Sequence, residues 1–315
     1  MEIVLRIETQ STQIAQIAAR MQLPIRDNTL VIPRFIGEGR IRYFSLPYGI
    51  QVHHYAYRIK EPVVIRSENP RIGGMYMLQI NLSNAFIEKS VGDQALRLSQ
   101  QGGAGALFYS PGFPSLGSGE TEQTYSIVII SLPVPFVEEN FSIEGSLTPF
   151  CQYEELSGFS ALELSNILDA EINAIEREGR LLAWIASLVQ QFSNRTTEEL
   201  QPEMAPLDVA RLLKVKEILE EALYGQLPTL EQIAQSVLVS QSKLKTDFKA
   251  VFGQSIYQYY LHRKMLEAQR LLKRDGNNVS EVGMQLGYTN LSQFSAQFKK
   301  QTGLTPSAFQ KEAKA

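Results

Sequence analysis

The chain has 315 residues, 44% hydrophobic and 20% charged, which predicts an ordinary globular protein of two domains. It holds no run of eighteen apolar residues that could cross a membrane, and its opening MEIVLRIE lacks the apolar core of a secretory signal. The net charge of −3 hides an asymmetry: residues 1–206 carry 15 Lys and Arg against 23 Asp and Glu, and residues 207–315 carry 15 against 10. An acidic half joined to a basic half fits a sensor attached to a nucleic-acid binder, because phosphate neutralisation needs Lys and Arg on the binding half alone.

Residues 1–35 give little pattern beyond TQIAQIAARM, which has the spacing of a short amphipathic helix. From Gly39 to Glu139 the chain reads as strands. The candidates are GRIRYFSL, IQVHHYAYRI, EPVVIRS, MYMLQINLS, ALRLSQ, GALFYS and YSIVIISLPVPF, broken at Pro47-Tyr48-Gly49, Gly73-Gly74, Gly102-Gly103 and Pro111-Gly112. Short strands at close spacing predict a small barrel or jelly roll. Its aromatics Tyr43, Phe44, Tyr48, Tyr55, Tyr57, Tyr76 and Phe108 suit either a pocket for a flat ligand or a filled core.

His53-His54 is the one chemically suggestive pair here. Adjacent strand residues point to opposite faces, so both cannot bind one metal from inside. The third histidine, His262, is far along the chain. We therefore expect no metal site, no cofactor and no catalytic residues; one of the two histidines facing an effector pocket stays open beside the reading as an ordinary strand histidine. Cys151 is the single cysteine, which excludes an internal disulfide and fits a reducing cytoplasm. As a nucleophile it lacks any visible environment that would lower its pKa.

Residues 156–193 turn helical. Leu164, Leu168, Ile172 and Ile175 mark one stripe and Leu181, Ile185, Leu188 and Phe192 another, with Gly179 between them. An antiparallel helix pair follows, packed on its own domain or paired with a second copy. NRTTEELQPEMAP, residues 194–206, is polar and aperiodic and reads as a linker.

The stretch 229–311 repeats itself. Leu244, Phe248 and Gly253 recur as Phe294, Phe298 and Gly303, and Ile256 as Pro306, each displaced by fifty residues; Ile233 recurs as Val282, displaced by forty-nine. Each copy reads as helix, tight turn, helix. Thr229 with Gln232, Asn278 with Glu281 and Asn290 with Gln293 are capping boxes, Ser240 is a further N-cap, and Gly253 and Gly303 close the second helices. Gly287 marks a turn, and Thr305-Pro306 opens a last short helix. Between the copies, Ser255 with Gln258 opens a helix striped by Leu261, Met265, Ala268 and Leu272. Two short helices around a tight turn make a helix-turn-helix, whose second helix enters the major groove. A connecting rod of roughly 28 Å could hold two such helices in successive grooves about 34 Å apart. Gln241, Ser242, Lys243, Lys245, Thr246 and Lys249 lie off the apolar face of the first such helix, and Leu291, Ser292, Gln293, Ser295, Ala296 and Lys299, with Lys300 behind, are their equivalents in the second.

Gly287, Tyr288, Phe294, Phe298, Lys299, Lys300, Gly303, Thr305 and Pro306 match the signature G-Y/F-x(5)-F-x(3)-F-K-K-x-x-G-x-[TS]-P. On these residues, 207–315 resembles the DNA-binding domain of the AraC/XylS family of bacterial transcription regulators, and within it the PchR-like branch that responds to siderophores. The resemblance implies an α+β chain: a cupin-like β-domain over 1–155 that senses a small molecule, a helical hairpin over 156–193 able to dimerise, a linker over 194–206, and two helix-turn-helix motifs joined by a long helix over 207–315. It also implies double-stranded DNA and RNA polymerase as partners, a possible homodimer, and an activator. Ser242, Lys245 and Thr246 would then reach base edges, and Lys243 and Lys249 phosphates. Two departures stand out. Thr246 and Ala296 replace a long basic side chain, which rules out a bidentate guanine contact at both, while Gln293 could read adenine and Leu291 or Ala296 touch a thymine methyl. Leu238 occupies a turn position that is often glycine, so the first turn is either altered or strained. The alternatives are a constitutive DNA-binding protein whose β-domain is a partner surface, and an enzyme tethered to DNA, which would need a metal constellation or activated nucleophile.

Overall fold

A computed structural model describes residues 2–83, 87–91, 94–98, 104–113, 115–119, 121–141, 143, 150–198, 206–273 and 277–313. The chain divides into two units, Met1–Leu213 and Lys214–Ala315. In the first, the strands and helices are β1 (Glu2–Arg6), α1 (Gln13–Met21), β2 (Thr29–Val31), β3 (Gly37–Ser45), β4 (Gln51–Ile59), β5 (Val64–Glu68), β6 (Tyr76–Asn81), β7 (Ile87–Val91), β8 (Gln94–Leu98), β9 (Gly105–Tyr109), β10 (Ser115–Gly119), β11 (Thr124–Leu132), α2 (Val134–Phe141), β12 (Cys151–Glu155), α3 (Gly158–Asp169) and α4 (Ala174–Glu198). They build an antiparallel sheet in the order β12-β9-β6-β11-β4-β3-β2 and a second sheet in the order β1-β5-β10-β7-β8, where β1 runs parallel to β5.

Each expected strand segment contains a strand, and TQIAQIAARM is α1, capped by Thr12. The end of YSIVIISLPVPF is different. Pro133 has no N–H for the ladder, so β11 stops at Leu132 and VPF opens α2. The two faces of the larger sheet are chemically distinct. One carries Val52, Leu78, Ile80, Ala106, Phe108, Val128 and Ile130 and packs on Val137, Leu164, Leu168, Ile185 and Phe192 from α2, α3 and α4. The other carries His53, Tyr55, Gln79, Asn81 and Ser131, all buried, with Ile129 directly opposite both His53 and Gln79. Gln13 of α1 joins this face by accepting from the Tyr55 hydroxyl at 2.7 Å.

The helix pair breaks earlier than Gly179. α3 ends at Asp169 and α4 starts at Ala174, where Asn173 Oδ1 accepts the Glu176 N–H at 2.9 Å. Gly179 sits inside α4, and Ile175, expected on the first stripe, is 83% exposed. The capping side chain decides the boundary, because a helix N-terminus leaves N–H donors that an asparagine oxygen can accept and a glycine, having no side chain, cannot. α4 continues to Glu198, and most of the expected linker, 199–205, lies outside the described residues; so do Gly102 and Gly103.

The second unit is helical: the end of α5 (Pro206–Glu221), a 3-10 turn (Ala222–Tyr224), α6 (Leu230–Ser236), α7 (Gln241–Phe252), α8 (Ile256–Leu272), α9 (Val279–Gln285), α10 (Leu291–Thr302) and α11 (Pro306–Ala313). The capping boxes at Thr229, Ser255 and Asn278 form with both bonds. Asn290 accepts from Ser292 and Gln293, the first half of its box. Gly253 and Gly303 close α7 and α10 in the left-handed region.

Leu238 takes the left-handed conformation too, at φ 57°, with its side chain 82% exposed, where the second copy has Gly287 at φ 75°. The strained alternative is therefore the one realised. A left-handed L-residue costs about 1–2 kcal/mol, offset in a glycine variant by about 0.4–1 kcal/mol of extra unfolded-state entropy. Leu238→Gly is expected to raise stability by about 0.5–1 kcal/mol in a urea titration; a lower midpoint would mean that Leu238 holds a contact stronger than its strain.

Candidate nucleic-acid interface

α7 is built on one buried stripe. Leu244, Phe248, Val251 and Phe252 face inward, with the Phe248 ring 4.2 Å from Phe252 and edge-on to Tyr259 at 5.5 Å. The helical period then turns Gln241, Ser242, Lys243, Lys245, Thr246 and Lys249 outward, and all six are exposed. Two of them have partners within the helix. Lys243 Nζ lies 2.7 Å from Asp247 Oδ2, and Asp247 is only 5% exposed. The Thr246 hydroxyl donates to Ser242 O at 3.2 Å, so its remaining capacity toward a ligand is as an acceptor. Asp247 is a functional neighbour that its sequence position alone does not mark. Its Lys-x-x-x-Asp spacing was visible, but its burial was not.

In α10, Phe294 and Phe298 are buried, while Ser292, Gln293, Ala296, Lys299 and Lys300 are exposed and Ser295 half-buried. Leu291 behaves differently from its equivalent Gln241. It lies across Gly283 of α9, where an added Cβ would come within 2.6 Å of Leu291 Cδ2. The first copy has Ala234 at that place. Leu291 is therefore a packing residue at the α9–α10 contact as well as a candidate reader. The outward faces of the two helices together present Lys243, Lys245 and Lys249 on α7 and Lys299 and Lys300 at the last turn of α10.

Of the other chemically suggestive groups, His54 is a structural one. His54 Nδ1 faces Arg42 Nη2 at 2.8 Å and His54 Nε2 faces Ser126 Oγ at 3.0 Å. A guanidinium only donates. Nδ1 is thus the acceptor and Nε2 carries the proton toward Ser126. Burial, with Arg42 adding to it, pushes His54 down to about 4, so it is neutral at pH 7. A histidine already protonated toward a serine cannot take that serine's proton, so the pair is not a nucleophile with its base. Arg42 goes on to Leu168 O at 2.7 Å and Asp169 Oδ1 at 2.5 Å, which ties β3 to the end of α3.

His53 points to the opposite face, its ring 5.1 Å from Tyr43. Burial pushes it down to about 3, and neither ring nitrogen has a hydrogen-bond partner. Among the described residues no group of three His, Cys, Asp or Glu could hold a metal ion. Cys151 is buried in β12. The aromatic set does not form one cluster: Tyr76 and Phe108 stack within the helix-facing core, with Phe44 packed beside it, Tyr43, Tyr55 and Tyr57 share the His53 face by strand alternation, and Tyr48 is exposed. No helix among the described residues is long and apolar enough to cross a membrane.

The helix-turn-helix domain family matches residues 233–312. The Msm operon regulatory protein of Streptococcus mutans is 27% identical over 151 residues, covering 48% of this chain and 52% of that protein. The arabinose operon regulatory protein of Escherichia coli is 27% identical over 146 residues, covering 46% and 50%. The solved structure of ToxT from Vibrio cholerae aligns with a TM-score of 0.32 at 11% identity, over 83% of this chain and 96% of that one. The chain spans about half the length of the two operon regulators it matches.

Proposed function

We propose that the chain, whose residues 233–312 match a helix-turn-helix domain, is an AraC-type sequence-specific DNA-binding transcription regulator that reads two successive major grooves with α7 and α10. The observation that carries this is the duplication itself. Two helix pairs with the same caps and buried stripes stand at either end of α8, which at 17 residues spans about 26 Å. In this reading each pair is a helix-turn-helix. Ser242, Lys245, Thr246, Ser292, Gln293, Ser295 and Ala296 meet base edges, with Gln241 and Leu291 at the helix starts, and Lys249, Lys299 and, in part, Lys243 meet phosphates.

The N-terminal unit is then a cupin-like sensor whose ligand lies on the His53 face, supported by a buried imidazole with two unpartnered nitrogens. Activation through RNA polymerase, and a siderophore as the effector, extend the same reading. An independent observation favours a partner surface as well. The outer side of α3 and α4 holds a groove of about 300 Å³ lined by Glu163, Arg180, Trp184 and Ser187, and Phe159 and Leu162 of α3 are exposed. That suits α3–α4 as the dimerisation element over 156–193, with 1–155 as the sensor, 194–206 as the linker and 207–315 as the DNA-binding part.

Selection of duplexes from a random pool by the full chain tests the assignment. An asymmetric site of two blocks about one helical turn apart is the expected result, and a failure to enrich any sequence, with and without candidate effectors, would sink it. On the selected duplex, Lys249→Ala and Lys299→Ala should each weaken binding to all sequences alike and lower the salt slope by about 0.9. Lys243→Ala should differ from both by also lowering the melting temperature, because it leaves the buried Asp247 carboxylate without its partner. Equal melting temperatures for the three variants would show that the Lys243–Asp247 pair contributes nothing.

A further inference from the structure

The two copies differ in how their turns are held. The first turn, at Leu238, stands out in solvent. The second turn, Gly287-Tyr288, lies against α8 and the residue after the 3-10 turn: a Cβ at Gly287 would be 3.5 Å from Gly225 O and 3.9 Å from Lys264 Nζ. Lys264 is a buried lysine on α8. No carboxylate among the described residues pairs with it. Its ammonium is held instead by aromatic groups, 4.9 Å from the Tyr260 ring centroid and 5.0 Å from that of Tyr288, and it donates to Tyr260 Oη at 2.7 Å. Tyr260 Oη in turn donates to Ala222 O at 3.3 Å. From the other side, Tyr288 Oη donates to Gln297 Oε1 on α10 at 2.9 Å.

These contacts form one chain from Ala222 through Tyr260, Lys264 and Tyr288 to α10. The apolar core beneath them, where Val282, Leu286, Phe294 and Phe298 meet Met265, Ala268 and Leu272, attracts α10 to α8 without fixing its rotation, since hydrophobic burial is non-directional. A cation beside the Tyr288 ring, held by the Tyr260 hydroxyl, and the Tyr288–Gln297 bond are directional. Burial also holds the Lys264 ammonium below its ordinary pKa, as expected where no anion compensates it.

We propose that Lys264 is a positioning residue for DNA recognition: the Lys264–Tyr288–Gln297 chain sets the orientation of α10 on α8, and with it the spacing between the two blocks that α7 and α10 read. The inference rests on the reading of both helices as DNA readers. Among the described residues the first copy has no such device, so the effect should fall on one block only.

The test uses the full chain and its selected duplex, with either block scrambled and with one base pair inserted between the blocks. Lys264→Met keeps the stem and removes the charge. It should reduce discrimination of the second block about tenfold, leave discrimination of the first block unchanged, and soften the penalty for the insertion. Lys264→Arg restores a cation that stacks on rings and should recover most of the loss. Tyr288→Phe keeps the ring but loses the Gln297 bond, and should show a smaller loss confined to the same block; it serves if Lys264→Met fails to fold. Undiminished second-block discrimination and an unchanged insertion penalty in a folded variant would overturn the proposal, as would equal losses from both blocks. A wild-type chain that discriminates neither block would instead overturn the two-helix reading, and this inference with it.

Discussion

Glu220→Ala is expected to destabilise the C-terminal unit by about 3–5 kcal/mol. Glu220, near the end of α5, is buried, and its Oε1 lies 2.6 Å from Lys216 Nζ and 3.2 Å from Arg263 Nη2. Both cations are themselves buried. The carboxylate therefore compensates two charges that water does not reach, and its removal takes a buried anion away from both of them. The adjacent Glu267 is engaged mainly elsewhere. Burial acts to raise its pKa, but bonds from Arg270, with Nε at 2.6 Å, and from Tyr224 outweigh that and hold it below the usual carboxylate range. Lys216→Met should be much milder, about 1 kcal/mol, because it leaves the Glu220–Arg263 pair intact and fills the space with an apolar chain of similar length. Denaturant titrations followed by helical circular dichroism would read both. Equal losses for the two variants, or a Glu220→Ala loss under about 1 kcal/mol, would show that water screens the cluster in solution.

None of that cluster is readable from spacing. Lys216 and Glu220 are four residues apart, a pattern that on most helices is a solvated surface pair. Their burial depends on α8, which arrives about forty residues later. The same division runs through the chain. Caps at Thr229, Ser240, Ser255 and Asn278 were legible because a cap is local chemistry between residues three apart, and the repeat was legible because it imposes the same local chemistry twice. The opposite facing of His53 and His54 followed from strand alternation alone. The short strands β1, β2, β7, β10 and β12 were not legible. The partners of β1, β10 and β12 lie far away in sequence, β1 and β10 with β5 and β12 with β9, while β2 and β7 pair with their neighbours β3 and β8 but carry too little apolar alternation to mark a strand. The α3–α4 boundary is set by the Asn173 cap and not by Gly179, which lies inside α4. Asp247, Leu291 and Lys264 each gained a role from a neighbour that folding alone supplies, and in all three the exposed-or-buried question decided between reading DNA and supporting the residues that do.

Phe298→Ala is the other large expected loss, about 3–5 kcal/mol. Phe298 is fully buried, with ring centroids of Phe294 and Phe309 at 5.9 and 5.5 Å, both edge-on. It belongs to the core that also contains Met265, Ala268 and Leu272 of α8 and Val282 and Leu286 at α9, so it is where four helices meet. Removing the ring costs its transfer free energy and leaves a cavity that helices capped at both ends cannot easily close. Phe298→Leu fills most of that volume and should cost about 1–2 kcal/mol. Phe248, its partner in the repeat, packs on Phe252 and Tyr259 in the first pair, and Phe248→Ala should cost a similar amount. The functional signatures should separate the two. At temperatures where each variant keeps part of its structure, Phe298→Ala should lose discrimination of the second DNA block and Phe248→Ala that of the first. Amide exchange would locate the loosened helices directly: faster exchange in α9–α11 for one and in α6–α7 for the other. Loss of both blocks together in each variant would mean that α8 binds the two helix pairs into one cooperative unit, and that neither pair reads DNA with the other unfolded.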